Sequence, residues 1–297
     1  MSTPATEHRS QGISIDAMSL PDAVSAFTTG QCAAIAAVDL AASDVISGAE
    51  AMARAQRCGG SLVYVAAGSS GLMALADASE LPGTFGVPQA SVKIHMAGGV
   101  PVTGHMPGDT EDDHTAAPEI TRNLGPKDVV IVLSASGSTP YAVAVAQMAR
   151  AKGCCVVAIA NNRDTVLLAA ADVAICLATP AEIIAGSTRL GAGTAQKVAL
   201  NLMSTLMGVM LGHVYDGMMV NVVADNKKLR ARAVGMVCHI VDVSTAQAES
   251  ALERADGRVK LAVLLAAGCA LAEAERLLRD HDGHLGPCLQ LLRPKTK

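Results

Sequence analysis

The feature that most constrains the fold is an apolar run that leads through a turn of small residues into a helical pattern, at residues 62–86. The run covers residues 62–67, and the turn reads Gly68-Ser69-Ser70-Gly71. The helical pattern continues to Glu80, where the following Pro82 predicts that the helix ends. Strand, turn and helix in this order bring backbone N–H groups and a helix N-terminus together, which favours a site for phosphate or another compact anion. A serine-capped turn without a ligand explains the same residues equally well.

A second unit of the same kind follows at residues 128–152. Its strand pattern, 128–134, leads into the small-residue loop Ser134-Ala135-Ser136-Gly137-Ser138-Thr139, and Pro140 begins an Ala-rich helix. Two such loops are expected at the carboxyl edge of a parallel sheet, where open α/β folds bind ligands. Neither loop matches G-x-x-x-x-G-K-[ST] or G-x-G-x-x-G, so a small phosphorylated metabolite is favoured over a nucleoside triphosphate or a dinucleotide.

The alternation of strand and helix patterns predicts an α/β fold with a mostly parallel sheet sandwiched by helices. We expect strands at residues 62–67, 92–96, 128–134, 154–160 and 173–177, and long helical regions at 195–212 and 214–241. We divide the chain into an N-terminal arm with helices (1–57), a central ligand-binding domain (58–241) and a small helical bundle (242–297), whose first helix Ser244 caps. The irregular stretch 100–126 is typical of a functional or disordered segment.

Composition limits the partners of the chain. Only 2% of the residues are aromatic and the net charge is −4, which argues against a nucleic-acid surface or an anionic membrane. The apolar stretch 198–214 is short and contains Asn201 and His213, so a buried helix is favoured over a membrane span. The first thirty residues predict no signal peptide. The eight cysteines form no C-x-x-C pair, as expected for reduced thiols in the cytosol.

An acidic cluster lies between His105 and His114 in the irregular stretch. Its spacing matches no H-x-x-x-H or H-E-x-x-H motif, so a solvated acidic loop is favoured over a metal site.

Glu111 from this cluster and Glu80 are stronger candidates for a functional role than the metal site. Two carboxyls, one kept protonated by burial and the other ionised, can act as acid and base on a sugar held by its phosphate. Spacing alone explains Glu80 equally well as a surface residue at a helix end.

Motifs along nearly the whole chain resemble the N-acetylmuramic acid 6-phosphate etherase family. The most specific are DASE-x-P-x-TFG at residues 77–86 and GSTRL-x-AGTAQK at 186–197. Shorter matches are TEHR at 6–9, IDAMS at 15–19, AGSSG at 67–71, AGG at 97–99, ED at 111–112, ASG with TPY within 135–141, Asn201, and Asn226 with KL at 228–229. Sugar isomerase (SIS) domains in general share only the serine loops.

The resemblance implies an SIS-type fold with a small C-terminal helical bundle, a cytoplasmic homodimer with sites at the subunit interface, and no metal or organic cofactor. It implies cleavage of the D-lactyl ether of N-acetylmuramic acid 6-phosphate by water, giving N-acetylglucosamine 6-phosphate and D-lactate during cell-wall recycling. Glu80 matches the family's acid and Glu111 its base. The positions that match substrate-binding residues are Ser69, Ser70, Gly71, Ser134, Ser136, Gly137, Ser138, Thr139, Ser187 and Lys197.

The chain departs from the family where cations are usual. Leu72, Ser138 and Gly191 stand where family members carry Arg, Arg and Lys, and residues 106–109 replace a helical Ala-Val-Glu-Gly run. A charge-assisted contact contributes about 1.5–3 kcal/mol, so either the substrate has changed or other cations compensate. The candidates for compensation are Arg189, Lys197 and Lys93. Two further functions stay open: a non-catalytic sugar-phosphate sensor resembling glucokinase regulatory proteins, and an aldose–ketose phosphate isomerase.

Overall fold

A computed structural model describes residues 5–8 and 13–292. Within these residues the chain forms two compact units. One contains residues 5–8, 13–78 and 90–205, and the other contains 79–89 and 206–292. The division at residues 57 and 241 stays a prediction about separately organised parts. Arg9 of the TEHR match lies outside the described residues, as do residues 1–4 and 10–12 of the predicted arm and residues 293–297 of the predicted bundle.

The first unit is built on a parallel sheet, which in the described chain has five strands in the order β2-β1-β3-β4-β5. The strands are β1 Leu62–Ala66, β2 Val92–Met96, β3 Val129–Ser134, β4 Cys155–Ala160 and β5 Val173–Cys176. All residues of β1 and β3 are buried, as expected for central strands covered on both faces. The predicted α/β fold is confirmed, and each strand lies within a residue or two of its predicted bounds.

Helices surround this sheet, and two of them continue into the second unit. They are α1 Leu20–Leu40, α2 Ala42–Arg57, α3 Gly68–Phe85, α4 Ala117–Thr121, α5 Pro140–Ala151, α6 Val166–Ala169 and α7 Gly191–Met210. On one face of the sheet, Val63 and Val65 of β1 and Val130 and Val132 of β3 share a buried cluster with Tyr141 and the alanines of α5. These contacts fix α5 directly after the second serine loop.

Helix α1 is the one described helix that is long and apolar enough to cross a membrane by length and composition, and 17% of its most apolar window is buried. The sequence offers residues 198–214 as a second apolar stretch, for which a buried helix is expected. Those residues lie largely in α7, where Met203 and Met207 are fully buried, so that stretch is a core helix as expected.

The predicted end of α3 at Glu80 is wrong. Pro82 lies inside the helix, which continues to Phe85. Proline lacks an N–H, so one helical hydrogen bond is missing, but Gly86 N still donates to Pro82 O at 3.0 Å. Partners in the second unit bond the final carbonyls: Asn221 Nδ2 donates to Phe85 O (2.7 Å), and Val223 N donates to the carbonyl of Gly83 (3.1 Å). Tertiary hydrogen bonds therefore support a turn that local sequence disfavours.

The second unit ends in a bundle of short helices. They are α8 Lys227–Val241, α9 Thr245–Arg254, α10 Val259–Ala266, α11 Leu271–Asp280 and α12 Leu285–Leu292. The predicted cap is confirmed, because Ser244 Oγ accepts from Gln247 N and Gln247 Oε1 accepts from Ser244 N. The helical region expected at 214–241 is helical only from Lys227 onwards, where Asn226 Oδ1 accepts from Leu229 N (2.9 Å) and begins α8.

The second unit also contains a buried histidine that gives a pH-dependent prediction. Burial, with the charge of Lys260 nearby, lowers the pKa of His213 to about 4. The folded state therefore keeps His213 neutral, whereas the unfolded chain binds a proton below about pH 6.5. Stability contributed by the neutral ring is complete above pH 6.5 and is lost as the pH falls towards 4. We expect this loss to reach about 2–3 kcal/mol at pH 4.

The measurement is the free energy of unfolding between pH 7 and 4 for the wild type and for His213→Gln. The variant has no group to protonate at this position and should lose less stability on acidification. His105→Gln, at an exposed site, is the matched control and should follow the wild type. Parallel curves for the wild type and His213→Gln would contradict the prediction.

Candidate functional site

The two serine loops lie side by side at the carboxyl edge of the sheet. In the register of β1 and β3, Ala66 pairs with Leu133, so both strands end at the same level. In the next pair, Ser134 lies beside Ala160 at the end of β4. The predicted juxtaposition of the loops is therefore confirmed, and residues after β4 join them at this edge.

The first serine loop is the opening turn of α3 rather than a separate turn. Gly68 already belongs to the helix and has φ +53°, a left-handed conformation that glycine adopts at little cost. Ser69 is half-buried, Ser70 is buried, and Gly71 N donates to Ala67 O at 3.1 Å. The preceding N–H groups have no acceptor within the helix, so they are available to an anion at the positive end of the helix dipole.

The second serine loop is organised around Ser134. Its hydroxyl lies 2.8 Å from Thr139 Oγ1 and 3.3 Å from Ser136 Oγ, and it accepts from Gly137 N at 3.0 Å. Ser138 donates to Ser136 Oγ through both its N–H (3.2 Å) and its hydroxyl (3.1 Å). Gly137 has φ +72°, and a Cβ there would lie 2.5 Å from the side chain of Thr165, so only glycine fits.

Glu111 connects the two loops. Its carbonyl accepts from Tyr141 N at 3.1 Å, in the first turn of α5. Its carboxylate lies against the first turn of α3, because a Cβ built on Gly68 would be 2.6 Å from Glu111 Oε1. The irregular segment thus delivers a carboxylate directly to the anion-facing end of α3. Glycine at position 68 leaves room for this approach.

Glu80 lies on the part of α3 that belongs to the second unit. Its side chain is exposed in the single chain, as is that of Glu111. Neither carboxyl is therefore buried in one chain, contrary to the expectation that burial keeps one of them protonated. The pairing of Glu80 with Glu111 stays a prediction.

A buried carboxylate that sequence reasoning missed lies one turn earlier in α3. Asp77 accepts from Tyr64 Oη (2.8 Å), Asn201 Nδ2 (2.8 Å) and Ser204 Oγ (2.9 Å). Burial raises the pKa of Asp77, and these hydrogen bonds and the charge of Lys197 oppose the shift. The network joins β1, α3 and α7. An acidic residue within the apolar pattern of α3 was the available signal.

Glu182 carries a second buried carboxylate that sequence reasoning missed, and it caps the start of α7. It is 3% exposed, and its two oxygens accept from Gly191 N (2.9 Å) and Ala192 N (2.8 Å). This capping explains why α7 begins four residues before its predicted start. It also bears on the missing cation at position 191, because a Cβ there would lie 3.2 Å from Glu182 Oε2 and 3.3 Å from Ala34 Cβ. Both contacts are tight, so the backbone at Gly191 lies too close to its neighbours for easy replacement.

The three cations that could compensate for the missing ones, Arg189, Lys197 and Lys93, differ in where they lie relative to the serine loops. Lys93 is the second residue of β2, paired with Val63 and three residues before the carboxyl edge, about 10 Å away along the strand. Its backbone therefore lies towards the amino end of β2, away from the edge that carries the serine loops. Arg189 and Lys197 are exposed on the loop before α7 and on α7 itself, and Ser187 is half-buried in that loop. Leu72 is 37% exposed beside the first serine loop.

Among residues 5–8 and 13–292, no group of three or more His, Cys, Asp or Glu side chains could hold a metal ion. In the acidic segment, Asp113 instead accepts from the N–H (2.8 Å) and hydroxyl (2.6 Å) of Thr115, and these bonds lower its pKa. Asp113 and burial together raise the pKa of Tyr141 to about 12, with burial the larger cause. The tyrosine is therefore neutral at physiological pH.

A parallel sheet with two serine loops at its carboxyl edge defines the class of sugar isomerase (SIS) domains, and the family model for the SIS domain matches residues 101–206. A solved structure of a proposed sugar-phosphate isomerase from Listeria monocytogenes has the same fold, with a TM-score of 0.50 and 16% identity over 65% of this chain and 93% of that one.

Two relatives narrow the class to a family. An N-acetylmuramic acid 6-phosphate etherase from Symbiobacterium thermophilum is 46% identical over 209 residues, 70% of each chain. Another from Deinococcus radiodurans is 41% identical over 268 residues, which are 89% of this chain and 88% of that protein. The chain belongs to the N-acetylmuramic acid 6-phosphate etherase family.

Proposed function

We propose that the protein cleaves the D-lactyl ether of N-acetylmuramic acid 6-phosphate with water, releasing N-acetylglucosamine 6-phosphate and D-lactate. The observation that carries this proposal is the 41% identity with an etherase of that specificity over 268 residues. The position of Glu111 against the first serine loop supports it, because it brings a carboxylate to the place where a phosphorylated sugar would bind.

The two loops supply the binding groups. The free N–H groups in the first turn of α3 and the hydroxyls of Ser69 and Ser70 suit a phosphate at the helix N-terminus. The second loop presents Ser134, Ser136, Gly137, Ser138 and Thr139 beside it. Gly71 lets the first loop pack against Met96, since a Cβ there would lie 2.6 Å from Met96 Cε, and Ser187 and Lys197 contribute from the α7 side. Most of these donors are neutral, so recognition depends on their number and placement.

The reaction then needs one base and one acid. In the open-chain sugar the C1 aldehyde acidifies the C2 proton, which Glu111 removes to give an enolate, and the electrons of the enolate then form the C2–C3 double bond. The C3–O bond to the lactyl group breaks, and Glu80 gives its proton to the departing oxygen, which leaves as D-lactate. Water then adds across the double bond, its hydroxyl at C3 and a proton at C2. Each general acid or base contributes about 10²–10⁴-fold.

The test is to incubate the purified protein with N-acetylmuramic acid 6-phosphate and to assay D-lactate. Release of one N-acetylglucosamine 6-phosphate for each D-lactate is the expected result.

The absence of three usual cations favours a second candidate function, a sensor that binds sugar phosphates without turnover. A folded protein that a sugar phosphate stabilises against heat, but that releases no lactate, would support the sensor and defeat the etherase. Interconversion of aldose and ketose phosphates would support an isomerase.

We also propose that the protein works as a cytoplasmic homodimer. Helix α1 exposes a set of large apolar side chains, which solvent would not favour: Leu20, Val24, Phe27, Ile35 and Leu40. A second copy covering α1 would bury them. Sedimentation should give twice the mass of a single chain. Val24→Glu with Phe27→Glu should shift it to monomer, whereas Ser43→Glu on α2 should not. A monomeric wild type would refute the dimer.

A further inference from the structure

A short turn near the start of the chain is packed into the edge of the sheet that holds the serine loops. Residues Ala5–Glu7 form a 3₁₀ turn, and Thr6 within it is fully buried although Glu7 and His8 are exposed. Thr6 is polar, and burial of a polar side chain is unfavourable unless its groups are hydrogen-bonded. Its partners therefore explain why it is there.

Asn162 is the main partner of Thr6. It lies two residues beyond the end of β4 and is 7% exposed. Its Nδ2 donates to Thr6 Oγ1 (3.1 Å) and to the carbonyl of Ala135 (2.9 Å), while its Oδ1 accepts from Thr6 N (3.4 Å). One amide group thus joins a residue near the chain start to the second serine loop, because Ala135 lies between Ser134 and Ser136.

Thr6 contacts a second loop of the site through its own carbonyl, which accepts from Gly186 N at 3.0 Å. Gly186 begins the segment that carries Ser187 and Arg189. Beside it, the carboxylate of Glu7 lies so close that a Cβ on Gly186 would be 2.9 Å from Glu7 Oε2. Gly186 has φ +74°, which also favours glycine. Thr6 therefore bonds to both the second serine loop and the loop before α7.

We infer that Thr6 is a positioning residue of the substrate site, holding the second serine loop in its binding geometry through Asn162. The inference rests on the proposed function, which assigns sugar-phosphate binding to that loop. Thr6 is fully buried, so it acts on the substrate site through its partners. Removing its hydroxyl leaves Asn162 Nδ2 with Ala135 alone as an acceptor, and an incompletely bonded buried amide is costly enough to shift its neighbours.

The test compares Thr6→Val, which keeps the shape and removes the hydroxyl, with Thr6→Ser, which keeps the hydroxyl. For Thr6→Val we expect the KM for N-acetylmuramic acid 6-phosphate to rise about 5–10-fold, with kcat within about threefold of the wild type. Thr6→Ser should restore KM to within about twofold. His8→Ala, on the exposed side of the same turn, should match the wild type.

Hydrogen exchange measured by mass spectrometry separates this inference from the proposed activity. Amides in a peptide covering residues 134–139 should exchange faster in Thr6→Val than in the wild type, and at the wild-type rate in His8→Ala. Unchanged exchange there, or a KM that Thr6→Ser fails to restore, would overturn the inference. A wild-type protein that releases no D-lactate would overturn the activity, while the exchange measurement would still decide whether Thr6 holds the loop.

Discussion

Glu111→Gln should release D-lactate from N-acetylmuramic acid 6-phosphate about 10²–10⁴-fold more slowly than the wild type. The glutamine amide retains the size of the side chain against Gly68 but cannot take up the C2 proton. Exchange of that proton with deuterated solvent, followed by NMR, should therefore stop together with lactate release. Loss of both signals identifies Glu111 as the group that starts the reaction.

Asp109→Asn is the matched control for this substitution. Asp109 lies two residues away in the same irregular segment, and its φ of +56° is a conformation that asparagine accepts. It should keep both signals near wild-type levels. Glu111 is exposed, so Glu111→Gln should change the free energy of unfolding by less than about 0.5 kcal/mol. Exchange of the C2 proton that persists in Glu111→Gln would assign the base to another residue.

Glu80→Gln should give a different result. Lactate release should again fall about 10²–10⁴-fold, because the departing ether oxygen receives no proton. The C2 proton should still exchange within about threefold of the wild-type rate, because its removal by Glu111 precedes cleavage of the C3–O bond. The two variants therefore separate the halves of the reaction, which an activity assay alone cannot do.

The control for Glu80→Gln is Glu50→Gln, at an exposed position of α2. It should leave lactate release unchanged. If Glu80→Gln retained full lactate release, Glu80 would be an exposed residue of α3 without a catalytic role. If it lost lactate release and C2 exchange together, Glu80 would act before C–O cleavage rather than as the acid.

The strands and serine loops could be predicted because each follows from a local pattern. The continuous apolar run of β3 predicts a strand that is covered on both faces of the sheet, and the small residues from Ser134 to Thr139 predict a tight loop. Parallel pairing then places both loops at one edge. Pro82 is the counterexample: local chemistry predicts a helix end, but hydrogen bonds from Asn221 and Val223 support the final turn.

The buried polar groups could not be predicted in the same way. Asp77 and Thr6 depend on partners that are distant in sequence, up to 156 residues away for Thr6 and Asn162, and Glu182 caps α7 across an irregular loop, from nine residues before Gly191. Their roles depend on which backbone and side-chain groups the fold brings within hydrogen-bond distance, and no local spacing encodes that. The position of the Glu111 carboxylate could not be predicted either. The family resemblance identified the residue, but only the packing of the irregular segment against Gly68 places its carboxylate.

The internal bonding of the second serine loop has a consequence for the kinetics of ligand capture. Ser134 already bonds to Gly137 N and contacts Ser136 and Thr139, so the loop is preorganised before any sugar arrives. A preorganised loop loses little conformational entropy when a ligand binds. Capture should then be a single fast phase, and the slow event before chemistry should be opening of the sugar ring rather than rearrangement of the protein.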